Sequence, residues 1–267
     1  HYKLIYISPE LLQNESVQQA LQKVTVSLFV IDEAHCISQW GHEFRPDYLK
    51  LAPLIKQLKN PPILALSATA TPEVQNDIVT ALNRQNMIKH LYPMDRENIT
   101  LCIEKVNHEK DKEKTIDHLV KNFPVPMLIY FSSRVMAERI AKYLNERHPD
   151  RGIAYYHGGM DSIDRLSVQQ QFMNDQLDVI CCTSAFGMGI DKPNIRLIIH
   201  YHMPGQMESL IQEIGRAGRD GDHSVSVVLF GPNDDQLPRQ MIENELPTET
   251  QLLLTLEKLQ HLQQQNK

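Results

Sequence analysis

Two adjacent carboxylates, Asp32 and Glu33, stand where the mostly apolar run Ser27-Leu28-Phe29-Val30-Ile31 ends. β-Branched and aromatic residues in so short a run predict a buried strand over 27–31. Ligands of open α/β sheets bind outside the carboxyl ends of the strands, so an acid pair there suits phosphate chemistry. One carboxylate can hold Mg²⁺ and the other can position a water, the two acidic roles that NTP hydrolysis needs. A strand running into an acidic turn accounts for Asp32-Glu33-Ala34-His35 equally well.

Three more groups of residues invite a chemical reading. The loop His35-Cys36-Ile37-Ser38-Gln39-Trp40-Gly41-His42-Glu43-Phe44-Arg45-Pro46 holds the only Trp of the chain. Bases stack on exposed aromatic faces for ~1–3 kcal/mol each, whereas a lone Trp more commonly plugs a local core; composition favours the second use somewhat. In Thr183-Ser184-Ala185-Phe186-Gly187-Met188-Gly189-Ile190-Asp191-Lys192-Pro193, Gly187 and Gly189 let backbone N–H groups approach a ligand, and Asp191 can accept from a ribose hydroxyl. A tight loop after a strand would explain the glycines as well. In Gln212-Glu213-Ile214-Gly215-Arg216-Ala217-Gly218-Arg219-Asp220, Arg216 and Arg219 fall on one side of a helical turn. Planar guanidinium donors meet phosphate oxygens bidentately. A surface Arg pair bridging Glu213 and Asp220 is the alternative, although two glycines sit badly in an ordinary solvated helix.

These residues need elements to hold them, and the apolar pattern supplies a consistent set. Strands are predicted over 4–7, 27–31, 63–66, 100–104, 127–131, 153–155, 179–183, 197–200 and 225–230. Helices are predicted from Ser8-Pro9-Glu10, over 46–57 despite Pro53, from the Thr71 cap to about 82, and over 112–122, 133–147, 162–173 and 207–214. Strand alternating with helix means a parallel sheet with helices outside it. The alternation breaks at 92–98, which divides the chain into domains over 1–92 and 93–232, with a Gln-rich helical tail over 233–267.

Size and charge bound the partners. A chain of 267 residues allows one to two domains with sizeable cores. Hydrophobic content of 42%, charged content of 22% and a formal net charge of −6 describe an ordinary globular protein without blanket affinity for nucleic acid. No apolar run approaches the ~18 residues of a membrane span, and no secretory signal is visible. Cys36, Cys102, Cys181 and Cys182 form no Cys-x-x-Cys pair, so free thiols in a reducing compartment are expected rather than a zinc site. The chain opens at His1, close to a predicted strand, and an upstream start of the natural protein is expected.

The fifteen residues from Asp32 to Pro46 closely resemble motif II and the following aromatic-rich loop of the RecQ-family DNA helicases of superfamily 2, with Glu43 where the family often has Asp. The resemblance extends through Arg219. Ser67-Ala68-Thr69 is similar to motif III, although the same tripeptide alone reads as a helix-capping cluster. The Thr183–Pro193 and Gln212–Asp220 strings resemble motifs V and VI. Tyr130-Phe131-Ser132-Ser133-Arg134 resembles motif IV, Tyr156-His157-Gly158-Gly159-Met160 a segment facing the DNA backbone, and Ser8-Pro9-Glu10 a DNA-facing element of the first domain.

The resemblance implies an α/β fold of two RecA-like parallel-sheet domains of the P-loop NTPase type, the first incomplete, with a cleft between them. It implies ATP-dependent translocation on single-stranded DNA and duplex unwinding, with 3′-to-5′ polarity, in repair or recombination. ATP and Mg²⁺ are the implied cofactors, DNA the implied partner, and a cytoplasmic, nucleoid-associated setting in a bacterium the implied location. Asp32 would hold Mg²⁺, and Glu33 would activate water. Arg216 and Arg219 would face the γ-phosphate on domain closure, completed by Gln212, Gly187, Gly189 and Asp191. His35, Ser67 and Thr69 would couple that site to DNA held by Trp40, His42, Phe44 and Arg45, with Ser8, Pro9, Arg134 and His157 also facing DNA. A non-catalytic nucleic-acid-binding fragment and an RNA-directed ATPase are the competing classes.

Two departures matter. The Gly-rich phosphate loop with its Lys and the adenine-reading Gln motif are absent from these residues and expected upstream of His1. No Cys follows Cys182, so the four-Cys zinc subdomain of many family members is not represented. These 267 residues alone are therefore expected to hydrolyse ATP poorly or not at all. Phosphate release in a malachite-green assay checks this, and robust DNA-stimulated turnover would contradict it.

Overall fold

The computed structural model describes residues 2–39, 44–93, 95–187, 190–232, 234 and 236. Trp40, His42, Gly189 and, apart from Asp234 and Gln236, the predicted helical tail lie outside the described residues. The chain divides into two compact units, 1–95 and 96–267.

In the first unit, β1 (Phe29–Ile31) pairs in parallel with β2 (Ile63–Ala65), with Phe29 opposite Ile63 and Ile31 opposite Ala65. α1 (Glu15–Gln22), α2 (Leu51–Gln57) and α3 (Pro72–Ala81) belong to the same unit. The core gathers Ile31, Ala34, Ile37, Leu51, Leu54, Ile55, Val74 and Ile78. The expectation of a strand buried on both faces is corrected here: Val30 and Leu64, on the opposite face of the pair, stay 47% and 44% exposed. Successive side chains of a strand point to opposite faces, and only one face meets the helices.

Two further expectations for this unit change. Residues 4–7 form no strand, because a strand needs a ladder partner and none exists for them among the described residues. Ser8-Pro9-Glu10 leads into a short 3-10 turn, Leu11–Gln13, and α1 starts only at Glu15 under an Asn14 cap. Pro53 is accommodated at the start of α2, in the first turn, where its missing N–H would have had no helical partner anyway. Thr71 caps α3 as expected, accepting from the Val74 N–H at 3.4 Å.

The second unit is a six-stranded sheet of β3 (Ile99–Lys105), β4 (Met127–Tyr130), β5 (Ile153–Tyr156), β6 (Val179–Cys182), β7 (Leu197–His200) and β8 (Ser224–Phe230). All neighbours are parallel, in the order β3-β8-β7-β4-β6-β5. Its helices are α4 (Glu109–Asn122), α5 (Arg134–Arg147), α6 (Ser162–Met173) and α7 (Met207–Ile214). Alternation along β4 divides the core: Met127 and Ile129 pack against Ile116, Ile140 and Leu144 of α4 and α5. Leu128 and Tyr130 pack on the other face with Phe172 of α6, Phe186 and Ile214 of α7. Such continuous apolar strands are what a sheet covered on both sides demands. No helix among the described residues is long and apolar enough to cross a membrane.

One buried ion pair fixes the chain just past β8. Lys112 Nζ reaches Asp234 Oδ1 and Oδ2 at 2.7 and 2.6 Å and the Tyr201 carbonyl at 2.7 Å. The Lys112 side chain is 1% exposed. Removing one member of a buried pair strands the other charge, so Lys112→Met is expected to destabilise by about 3 kcal/mol. Urea unfolding measures this; a midpoint equal to that of the parent would show that the pair contributes nothing.

Candidate functional site: two carboxylates in one unit, two arginines in the other

At the carboxyl end of β1 the chain turns sharply. Glu33 sits in the left-handed region at φ 49° and ψ 45°, a conformation that costs a non-glycine residue free energy and that clusters at functional sites. The Glu33 N–H donates to Asp32 Oδ1 at 3.0 Å, which orients the exposed Asp32 carboxylate. Buried Tyr48 donates to the Asp32 carbonyl at 3.3 Å, and burial holds its phenol above the ordinary range. Residues Ala34–Ile37 then form a 3-10 turn whose every residue is buried.

That turn is tied to the loop after β2. The Ala34 N–H donates to the Leu66 carbonyl at 2.8 Å, and the Leu66 N–H donates to the Ile31 carbonyl at 2.8 Å. His35 Nδ1 lies 3.0 Å from Ser67 Oγ and 3.4 Å from Glu33 Oε2. The Ser67 hydroxyl donates to the Thr69 carbonyl at 3.1 Å, so its lone pairs face His35 and the Thr69 N–H. Nδ1 of His35 therefore carries the proton. Thr69 is buried, and its hydroxyl has no partner among the described residues. Ser38 Oγ donates to Asp77 Oδ2 at 2.5 Å, joining the turn to α3. The structure thus brings Glu33, His35, Ser67 and Thr69 together.

In the second unit the loop after β6 meets the end of α7. Gly187 has φ +147°, and a Cβ there would come within 2.3 Å of Arg216 Cζ, so only glycine lets the guanidinium lie against this backbone. Arg216 Nη1 donates to the Gly187 carbonyl, while its buried Nε finds no partner among the described residues. Arg219 Nη1 donates to Asp191 Oδ1 at 2.8 Å and to the Ile190 carbonyl at 3.0 Å. Asp191 is thus paired with an arginine of its own unit, which sequence spacing did not indicate. Gln212 is half-buried on α7.

The residues expected to face DNA divide similarly. The Arg45 guanidinium forms an ion pair with Glu10 and stands 5.6 Å from the Tyr48 ring centroid. It joins the aromatic-rich loop to the Ser8-Pro9-Glu10 segment, with Phe44 half-buried beside it in sequence. Arg134 opens α5 and is exposed, its Nη1 close to Gly159. His157 is different: its ring is 5% exposed, Nε2 donates to Glu138 Oε1 at 2.7 Å, and Nδ1 accepts from the Gly159 N–H at 3.1 Å. Both nitrogens are used inside the protein, so the ring shapes the Gly158-Gly159 turn.

Sequence reasoning passed over three residues at this end of the second sheet. Tyr130 donates to the Phe186 carbonyl at 3.2 Å, and His200 Nε2 meets Glu213 Oε2 at 3.0 Å. Strand-end placement was the available signal for Tyr130 and His200. Their pairing joins segments far apart in sequence and leaves no local pattern.

Comparison with known proteins finds helicase families over both units. The profile of DEAD/DEAH box helicases matches residues 1–78, and that of the helicase conserved C-terminal domain matches residues 111–221. The chain is 49% identical over 247 residues to a probable ATP-dependent DNA helicase, RecS, of Bacillus subtilis, covering 92% of this chain and 50% of that protein. It is 44% identical over 252 residues to the ATP-dependent DNA helicase RecQ of the same organism, covering 94% of this chain and 42% of that protein. The chain therefore spans half or less of the length of these relatives. Among solved structures, the helicase Lhr of Mycobacterium smegmatis bound to ssDNA and AMP-PNP matches at 25% identity and a TM-score of 0.67, covering 83% of this chain and 31% of that one. Both units are RecA-like parallel α/β domains.

The hydrogen-bond directions around Ser67 make one outcome specific. Long-range ¹H–¹⁵N correlation spectra are expected to show His35 protonated at Nδ1, and in Ser67→Ala this ring loses its fixed orientation. A pyridine-type Nδ1 in the parent chain would contradict the assigned network.

Proposed function

We propose that this chain, which belongs to the RecQ family of ATP-dependent DNA helicases, carries two halves of a nucleotide-hydrolysing, DNA-translocating motor. Residues 1–92 are read as the part of the first RecA-like domain with the acid pair, and 93–232 as the second domain. The observation that carries the reading is the pairing of chemistries in a chain so similar to ATP-dependent DNA helicases. A strained acidic turn ends β1, and two arginines stand by the loop after β6.

The residues fit ATP with Mg²⁺. Asp32 is an exposed, oriented carboxylate at a strand end, a hard oxygen ligand of the type Mg²⁺ takes. Bound Mg²⁺ supplies charge neutralisation on phosphate oxygens. Glu33, held beside it by the left-handed turn, accepts a proton from the attacking water. Arg216, pressed against Gly187 with an unpartnered Nε, and Arg219 present bidentate donors to phosphate oxygens. Asp191 accepts from a ribose hydroxyl when Arg219 leaves it for phosphate. Gln212, Gly187 and Gly189 complete this side.

Coupling to DNA follows from the hydrogen bonds. Movement of the Glu33 carboxylate disturbs His35 Nδ1, which shares contacts with Glu33 and Ser67. Ser67 and Thr69 pass that disturbance along the loop after β2. The residues after His35 lead to Trp40, His42, Phe44 and Arg45, which with Ser8 and Pro9 hold single-stranded DNA, as Arg134 does on the second unit. We read the whole protein as an intracellular DNA helicase of repair or recombination, with duplex and single-stranded DNA as partners.

Glu33→Gln and Arg219→Ala in the whole protein are each expected to cut DNA-stimulated ATP turnover by ~10³-fold or more, with melting unchanged. Near-parental turnover in either variant would overturn the assignment of that residue.

A further inference from the structure

Tyr130 ends β4, is 3% exposed, and carries a hydroxyl in a region where an apolar ring would pack as well. A buried hydroxyl costs free energy unless it is hydrogen-bonded, so its partner explains its presence. The partner is the carbonyl of Phe186, immediately before Gly187, to which the hydroxyl donates at 3.2 Å; the Gly187 carbonyl in turn accepts from Arg216 Nη1. Burial holds the phenol well above its ordinary pKa, so it stays protonated and able to donate.

The ring is also clamped. It stacks on His200 with centroids 5.5 Å apart and planes 14° apart. His200 Nε2 in turn meets Glu213 Oε2 at 3.0 Å, both side chains being buried. Glu213 precedes Arg216 by three residues, one turn along the end of α7. The contacts form a closed circuit: Tyr130 to His200, His200 to Glu213, Glu213 along the chain to Arg216, Arg216 to the Gly187 carbonyl, and the neighbouring Phe186 carbonyl back to Tyr130. Each member limits the rotamers of the next, and the Arg216 guanidinium keeps an Nε without a partner among the described residues.

We infer that Tyr130 is a positioning residue for Arg216, its hydroxyl holding the Phe186–Gly187 backbone against which the guanidinium lies, so that the arginine is aimed before nucleotide binds. This rests on the reading of Arg216 as a phosphate-facing arginine. An aimed side chain loses less freedom in the transition state, so the effect falls on kcat rather than on ATP affinity. His200 and Glu213 act at one remove, by holding the Tyr130 ring.

The test compares the whole protein, Tyr130→Phe, Arg216→Ala and the double variant in DNA-stimulated ATP hydrolysis. Tyr130→Phe keeps the ring that stacks on His200 and removes only the hydroxyl. It is expected to lower kcat about tenfold, as loss of one buried hydrogen bond would, with KM for ATP and melting temperature unchanged. The double variant is expected to be no slower than Arg216→Ala, because the hydroxyl acts only through the guanidinium. Parental kcat in Tyr130→Phe would overturn the inference, as would a double variant whose loss multiplies the two single losses. A kcat loss matched by a fall in melting temperature would overturn it too, since that marks a packing role. Parental turnover in Arg216→Ala would sink the underlying reading of Arg216, and this inference with it, and is read from that variant alone.

Discussion

Parallel strand pairing is the constraint from which the rest follows. Because every strand of the second unit runs the same way, each delivers its last residue to the same side of the sheet. Tyr130, Tyr156, Cys182 and His200 are the final residues of β4, β5, β6 and β7. The loops that follow therefore converge without any residue between them needing to be polar. The first unit repeats the rule with two strands, setting Asp32 and Glu33 after β1 beside Ser67 after β2. In the second unit chemistry collects at these ends because the central strands β4, β6 and β7 are themselves committed to burial.

Convergence alone does not orient side chains, and here the two units use different means. The first relies on backbone strain and short hydrogen-bonded loops. Glu33 is held left-handed while the turn behind it is entirely buried, so the carboxylate has a fixed base. The second relies on packing: a glycine with positive φ opens room for Arg216, and the backbone just before that glycine is held by Tyr130, whose ring stacks on a buried His–Glu pair. Both devices are expensive to build unless something repays them at the site. Arg219 is held differently, by an exposed ion pair with Asp191, and exposed pairs contribute only ~0–1 kcal/mol. It is accordingly the arginine more easily drawn away by phosphate.

Much of this was legible in the sequence, for physical reasons. Doubly covered parallel strands must be apolar throughout, so β4, β6, β7 and β8 announce themselves as runs such as Leu197-Ile198-Ile199. The cap at Thr71 follows from side-chain chemistry that acts within three residues. The acid pair and the two arginines were legible as residue types at a given spacing. Residues 4–7 misled because apolar periodicity reports a capacity for pairing and cannot supply the partner. The Tyr130–His200–Glu213 circuit and the Arg219–Asp191 pair were illegible. They join positions brought near only by the sheet, and no local pattern records such a contact.

The central proposal is that the acid pair of the first unit and the arginines of the second each act on a bound nucleotide. It is tested most directly by the structure of the whole protein with ADP, beryllium fluoride and Mg²⁺. The account predicts Mg²⁺ beside Asp32, and Arg216 and Arg219 on the fluoride, with the Arg219–Asp191 pair broken. Arg219 still bound to Asp191, with neither arginine near the nucleotide, would contradict it.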